Sequence, residues 1–168
     1  MIEMKVRGIA IDRDCKQPMV VLTDSEEKFC LPILIGVPEA TAIFIQLSDQ
    51  TISRPMSHDL LKNVVEALGA KVTKILVSDL NKDTFFARIF LENPHNGEKM
   101  DIDARPSDAI ALALRTGSPI FVAEKVVVVP GVAIMDKEKN KEEMREFKSF
   151  LEHLSPADFN FQGKRKND

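Results

Sequence analysis

Alternating apolar and polar positions open the chain. Residues 4 to 12, 18 to 24 and 28 to 35 follow a two-residue period interrupted by turn residues, which predicts three strands, the last running as FCLPILI into Gly36. The period then changes. PEATAIFIQLS is apolar nearly all round, through Ala40, Ala42, Ile43, Phe44, Ile45 and Leu47, the mark of a helix covered on several sides. SHDLLKNVVEALG instead gathers Leu60, Leu61, Val64, Val65 and Leu68 into one stripe. That pattern predicts a surface helix, with Ser57 as its N-cap after Pro55 and Gly69 as its C-terminal stop.

The second half replays the first. Strands are expected near 71 to 79, 84 to 92 and 98 to 104, with a hairpin turn at NPHNG, followed by a helix from Asp108 to Thr116. Setting EATAIFIQL beside DAIALALRT matches Glu39 with Asp108 and Ala42 with Ala111, which reads as an internal repeat. Two helices that are both apolar all round need cover on opposite sides. The expected fold is therefore α+β: a duplicated three-strands-plus-helix unit, its two three-stranded sheets enclosing the central helices in β/α/β layers. Ala109, Ala111 and Ala113 would let the helices approach closely, and Phe85, Phe86 and Phe90 are expected in the core. A strand over IFVAEKVVVVPGVAI follows Pro119, and a shift to DKEKNKEE sets a domain boundary, giving a core domain over 1–135. In the remaining segment, 136–168, Met144, Phe147, Phe150, Leu151 and Leu154 recur at helical spacing, which predicts an amphipathic helix ahead of a polar tail.

Composition narrows the class. The 168 residues are 44% hydrophobic, enough for one packed core, and 29% charged with a net charge of only -3, so no global basic field attracts nucleic acid. No segment is apolar enough to serve as a leader or to span a bilayer, which gives the expectation of a soluble cytoplasmic protein without a membrane partner. Cys15 and Cys30 form neither a CxxC pair nor a Cys/His cluster and read as reduced thiols.

Candidate chemistry concentrates in KMDIDARPSDAIALALRTG, residues 99 to 117, where a strand bearing Asp101, Asp103 and Arg105 runs through Pro106 into a helix with Ser107 as its expected cap. Alternation would turn Met100, Ile102 and Ala104 inward and leave both acids and Arg105 together on the other face. The unpaired amides and positive dipole end of a helix start favour anions, so carboxylates, a cation held by them, or a phosphate could sit there.

The runs LPILIGVPEATAI, RPMSHDLLKNVVEALGAKVTKILVSDL, TFFARIFLE and DIDARPSDAIALALRTGSPIFVAE, in this order and spacing, resemble the bifunctional nuclease family over most of residues 1 to 135. The resemblance implies a doubled β-rich fold with central helices and an enzyme that hydrolyses phosphodiester bonds of RNA, DNA or both. It marks His58 and Asp59 of the SHDLL run, and Asp103, Arg105, Ser107 and Asp108 of the DARPSD run, as candidates.

For such a reaction Asp101 and Asp103 could hold Mg²⁺ or Mn²⁺, Arg105 could grip phosphate bidentately, and His58 could act as general base or acid. No organic cofactor is expected. Arg54 and Arg88 are further phosphate contacts by type, with Ser107 and Asp108 beside them as substrate-binding positions. Each has a plainer alternative: Ser107 as cap, Asp59 and Asp108 as first-turn dipole partners, Asp103 and Arg105 as a mutually neutral pair. Aromatic residues are 6% with no Trp or Tyr, so binding of nucleic acid should be weak and of little sequence preference. The competing class is a non-enzymatic anion- or nucleotide-binding module that assembles as a homo-oligomer through the C-terminal helix.

Overall fold

The computed structural model describes residues 1–127, except Arg13, Asp49 and Thr51, together with Arg145 and Ser149. The expected domain boundary near 135 and the apolar stripe from Met144 to Leu154 lie outside the described residues.

Three antiparallel strands come first, β1 (Ile2–Ile11), β2 (Pro18–Asp24) and β3 (Cys30–Leu34). Helices α1 (Val37–Leu47) and α2 (Ser57–Ala67) follow, then a second antiparallel set, β4 (Lys71–Asn81), β5 (Thr84–Glu92) and β6 (Lys99–Ala104). Helix α3 (Pro106–Thr116), strand β7 (Ile120–Val122) and one helical turn, α4 (Glu124–Val127), complete the described order. The strands lie close to their predicted positions. None of the described helices is long and apolar enough to cross a membrane.

The α+β class holds, but the two expected sheets are one. A single seven-stranded sheet runs β3-β2-β1-β7-β4-β5-β6. Its joint is β7, antiparallel to β1 through Met4 and Ile120 and parallel to β4 through Ile75 and Ile120. Sheet edges with unpaired amides and carbonyls are unfavourable when buried, and a short apolar strand that pairs on both sides removes two of them at once. The long strand predicted from residue 120 onward stops at Val122, because Glu124–Val127 turns helical and buries Val126 and Val127.

The two all-apolar helices are buried as their composition requires. Helix α1 packs on β1 and β2, α3 packs on β4 and β5, and the two helices pack on each other. Ala40, Ala42, Ala109, Ala111 and Ala113 are all 0–1% exposed, so backbone-to-backbone approach carries much of this contact. Ile43, Ile75, Val77, Ile110, Leu112 and Val122 fill the layer between helices and sheet. Each such side chain contributes about 1.5–3 kcal/mol on burial.

The rim of the second half is looser. Helix α2 packs on α3, yet none of its residues is buried, and Leu60, Leu61, Val64 and Leu68 remain exposed. Strand β6 forms the sheet edge beside it. Ile102 pairs with the core residue Ile89 and so keeps the predicted face, but it is 46% exposed and Met100 is 45% exposed, because nothing among the described residues covers that end of the sheet. Phe86, expected in the core, is also exposed.

Candidate functional site

The DARPSD junction is built by Pro106. A proline at the first helical position fixes its own φ and holds the preceding residue extended, which places Arg105 at φ -69° and ψ 143° as the N-cap of α3. Ser107, the expected cap, therefore falls inside the helix and makes no capping hydrogen bond. Asp108 sits one residue further, in the first turn, where its charge complements the helix dipole. The cap of α2 likewise lies ahead of the expected serine, here by one residue rather than two. Met56 is the N-cap rather than Ser57, and because a thioether is a poor acceptor the sequence supplies Asp59, whose Oδ2 accepts the Met56 amide at 2.8 Å.

Helix packing brings these two starts together. The His58 ring shares a hydrogen bond between Nε2 and Asp108 Oδ1 at 3.0 Å, across fifty residues of sequence. Arg105 Nε donates to Asp108 Oδ2 at 2.7 Å, and its Nη2 donates to Asp108 Oδ1 at 3.1 Å and to Glu39 Oε1 at 2.7 Å. Its Nη1 has no bond to any described residue, and the side chain is 65% exposed.

Beneath this chain of side chains lies a second one. Arg115 Nε donates to Asp59 Oδ1 at 2.6 Å, and Nη1 donates to the carbonyls of Ala42 and Ala111 at 3.1 and 2.9 Å. The Arg115 side chain is 2% exposed and ties α1, α2 and α3 to one another.

The carboxyl groups respond to these neighbours. For Asp108 burial is the largest influence and opposes ionisation, yet the Arg105 and His58 hydrogen bonds together outweigh it and hold the group below its ordinary 3.8. Asp59 is likewise below 3.8: desolvation, the largest influence, is overcome by the Met56 amide and by Arg115. Arg105 is pushed above its ordinary value, first by its hydrogen bond to Asp108. An ionised Asp108 can only accept, so His58 Nε2 carries the proton it shares, and in the neutral imidazole the lone pair is then on Nδ1. That assignment follows from the hydrogen-bond network.

The His58–Asp108–Arg105 chain opens on a pocket of about 630 Å³ between α2, α3 and the β5–β6 edge. Leu61, Val65, Ile89 and Ile102 make its apolar wall, and Glu39 and Asp108 bring two carboxylates against the Arg105 guanidinium. Asp103 lines the pocket without an ion pair or hydrogen bond to a described residue.

Not every candidate converges here. Asp101 is drawn away by Arg88, Nε to Oδ2 at 2.6 Å, in an exposed pair on the sheet that occupies both residues. Arg54 lies in the exposed bend before α2 and lines neither this pocket nor its neighbour. Both Asp59 oxygens are engaged, so Asp59 positions α2. Among the described residues no group of three or more His, Cys, Asp or Glu side chains is placed to hold a metal ion. Sequence reasoning passed over Glu39 as a site residue and missed Arg115 entirely; the available signal was an arginine inside a helix otherwise apolar all round.

These elements define an α+β protein with one mixed sheet, two buried helices, and a histidine, carboxylates and a guanidinium linked at two helix starts. Residues 20–134 match the Bifunctional nuclease domain, and the chain belongs to that family. It is 34% identical over 166 residues to an uncharacterized protein of Mycobacterium tuberculosis, covering 95% of this chain and 98% of that one. Bifunctional nuclease 1 and Bifunctional nuclease 2 of Arabidopsis thaliana are 28% and 29% identical to it, each over 65% of this chain. The match spans only 34% and 33% of those plant proteins.

Proposed function

We propose that this protein hydrolyses phosphodiester bonds of RNA, DNA or both, with little sequence preference, at the pocket bounded by His58, Asp103, Arg105 and Asp108. The observation that carries the reading is the hydrogen-bonded chain from His58 through Asp108 to Arg105 opening on that pocket. Family membership and the plant nucleases supply the reaction class.

Hydrolysis needs a base for the attacking water, stabilisation of the phosphorane oxygens and a proton for the departing oxygen. Asp108 orients the His58 ring through Nε2, which leaves Nδ1 to take a proton from water and return it. Arg105 offers the two free Nη1 hydrogens to a phosphoryl oxygen, and its hold on Glu39 and Asp108 fixes the guanidinium beforehand.

Two carboxylates around one guanidinium repel a polyanion. Affinity for the polymer is therefore low, and the rate depends on positioning rather than on tight binding. Because Asp101 is held by Arg88, no step is assigned to a divalent cation.

The test is cleavage of fluorescent RNA and DNA oligonucleotides by wild type and by His58→Ala, Asp108→Asn, Arg105→Ala and Asp103→Asn, each in Mg²⁺, Mn²⁺ and EDTA. His58→Ala is expected to lower kcat by about 10²–10⁴-fold. Cleavage that survives all four substitutions would remove the chemistry from this pocket.

A further inference from the structure

The two edges of the seven-stranded sheet are finished differently. At one, β3 carries Pro32, which cannot donate to a further ladder. At the other, β6 contains no proline and pairs with β5 without a bulge, so its outer side presents a regular run of backbone donors and acceptors. Such an edge is a template for another strand.

Helix α2 extends the same surface. His58 and Asp59 bind Asp108 and Arg115 of α3, and the helical period then turns Leu60, Val64 and Leu68 to the side away from α3. Leu61 and Ile102 line one pocket, which joins the apolar stripe of α2 to the helix-facing side of β6. Of the ten large apolar side chains exposed among the described residues, six are here: Leu60, Leu61, Val64, Leu68, Met100 and Ile102. An apolar surface gathered in one place marks an interaction site.

The charges of β6 select what fits it. Lys99, Asp101 and Asp103 alternate with the apolar residues, on the face away from the helices. Asp101 is neutralised by Arg88 at 2.6 Å, whereas Lys99 and Asp103 have no ion pair with a described residue. Opposite residues of an antiparallel pair share a face, so a second copy of β6 related by a two-fold axis meets the first in a register centred on one residue. Centred on Asp101, Lys99 lies opposite Asp103 of the second copy at both ends, Met100 lies opposite Ile102, and the two facing Asp101 carboxylates are each already paired. The neighbouring registers fail: centring on Ile102 sets Asp101 against Asp103, and centring on Met100 sets Glu98 against Ile102.

We infer that the chain forms a two-fold dimer by joining β6 to β6 of a second copy in the register centred on Asp101, with Leu60, Val64 and Leu68 of the two α2 helices meeting on the helix side of the joined sheet. Strand β6 supplies the ladder and the register, and α2 supplies the apolar burial. The dimer does not depend on the hydrolytic reading of the His58 pocket.

Sedimentation velocity of the full chain over a concentration series tests this, with wild type, Lys99→Asp, Asp103→Lys, the two combined, and Leu60→Glu. All three positions are exposed, so the substitutions leave the core untouched. Wild type is expected to sediment as a dimer that dissociates on dilution. Lys99→Asp and Asp103→Lys each weaken association by about tenfold, because two attractive pairs in every dimer become two like-charge pairs, and the combined swap restores it. Leu60→Glu abolishes association by burying a charge between the α2 helices. A wild type that stays monomeric overturns the dimer. A dimer indifferent to the single charge variants, or not restored by the swap, overturns this interface and places self-association on another surface of the chain. Association that survives Leu60→Glu overturns the α2 contact.

Discussion

Two residues in this protein do their work by what they exclude or fill. Gly36, at the N-cap of α1, has ordinary extended backbone angles, so its value is not conformational; an added Cβ would collide with the Glu39 carboxylate. Glycine here lets Glu39 fold back over the helix start and reach Arg105 Nη2. Because the colliding group is a mobile carboxylate, Gly36→Ala should displace it at a cost under about 1 kcal/mol in urea unfolding, the range of exposed ion pairs. Glu39→Gln removes an anion that competes for the guanidinium and is expected to lower KM for an oligonucleotide. Arg115 is the opposite case, a guanidinium sealed among three helices. Arg115→Ala strands the Asp59 charge and two carbonyls, with an expected loss of about 3–5 kcal/mol measured by urea denaturation. Arg115→Lys should restore little, since one ammonium cannot span Asp59, Ala42 and Ala111. The residue types of the site were readable in sequence, and their roles only in part. His58 and Asp108 stood out because each opens a helix, but their contact depends on how α2 crosses α3, and no local pattern encodes that. Asp101 and Asp103 share a strand face as alternation required, yet Arg88, which the register sets opposite Asp103, reaches diagonally to Asp101 instead.

At the scale of elements, the contact between α1 and α3 is where sequence and energetics agree most closely. Alanines at 42, 109, 111 and 113 are fully buried between helices whose remaining faces meet the sheet, so there is no room for growth in any direction. Ala111→Leu is expected to destabilise by about 1–3 kcal/mol through overpacking, whereas Leu112→Ala should cost about 2–5 kcal/mol through the cavity it leaves. Thermal melts of both variants check this, and a wild-type melting temperature for Ala111→Leu would mean the helices are not in close contact. These helices were legible because an all-apolar surface admits no other environment, and the strands because alternation and turn residues agreed. The single sheet was not legible. Two matching strand sets predict two sheets equally well, and the deciding element, Ile120–Val122, is three residues long, too short for any period to register. The cap positions slipped by one residue in α2 and two in α3 for a related reason: Met56 and Arg105 are caps through the backbone geometry that their helices impose on them, not through their own side chains.

For the molecule as a whole, the two helix-tying carboxylates predict how stability should depend on pH. Asp59 and Asp108 are both held below the ordinary 3.8 in the folded chain, so on acidification the unfolded chain takes up these protons first. Stability rises with pH wherever the unfolded state binds more protons. The contribution of this pair is therefore fully present well above pH 3.8, and is lost as pH falls through 3.8 toward the lower folded values. Asp12, Asp79 and Glu124 are lowered too, by the Cys15 amide, by Lys125 and by the chain's amino terminus, and they titrate in the same acidic range. Those three are solvent-exposed, so salt separates the two sets. At about 1 M ionic strength the screening length is about 3 Å, which weakens the Asp79–Lys125 and Glu124–amino-terminus pairs while leaving the partly buried ones largely intact; Asp12, held by backbone amides, contributes equally in wild type and variant. Urea midpoints measured from pH 7 to pH 3 at high salt should still fall with acid in the wild type, and should fall distinctly less in an Asp59→Asn, Asp108→Asn double variant. An identical decline in both would place the acid sensitivity elsewhere, and with it would go the claim that these ionised carboxylates hold the three helices together around the pocket.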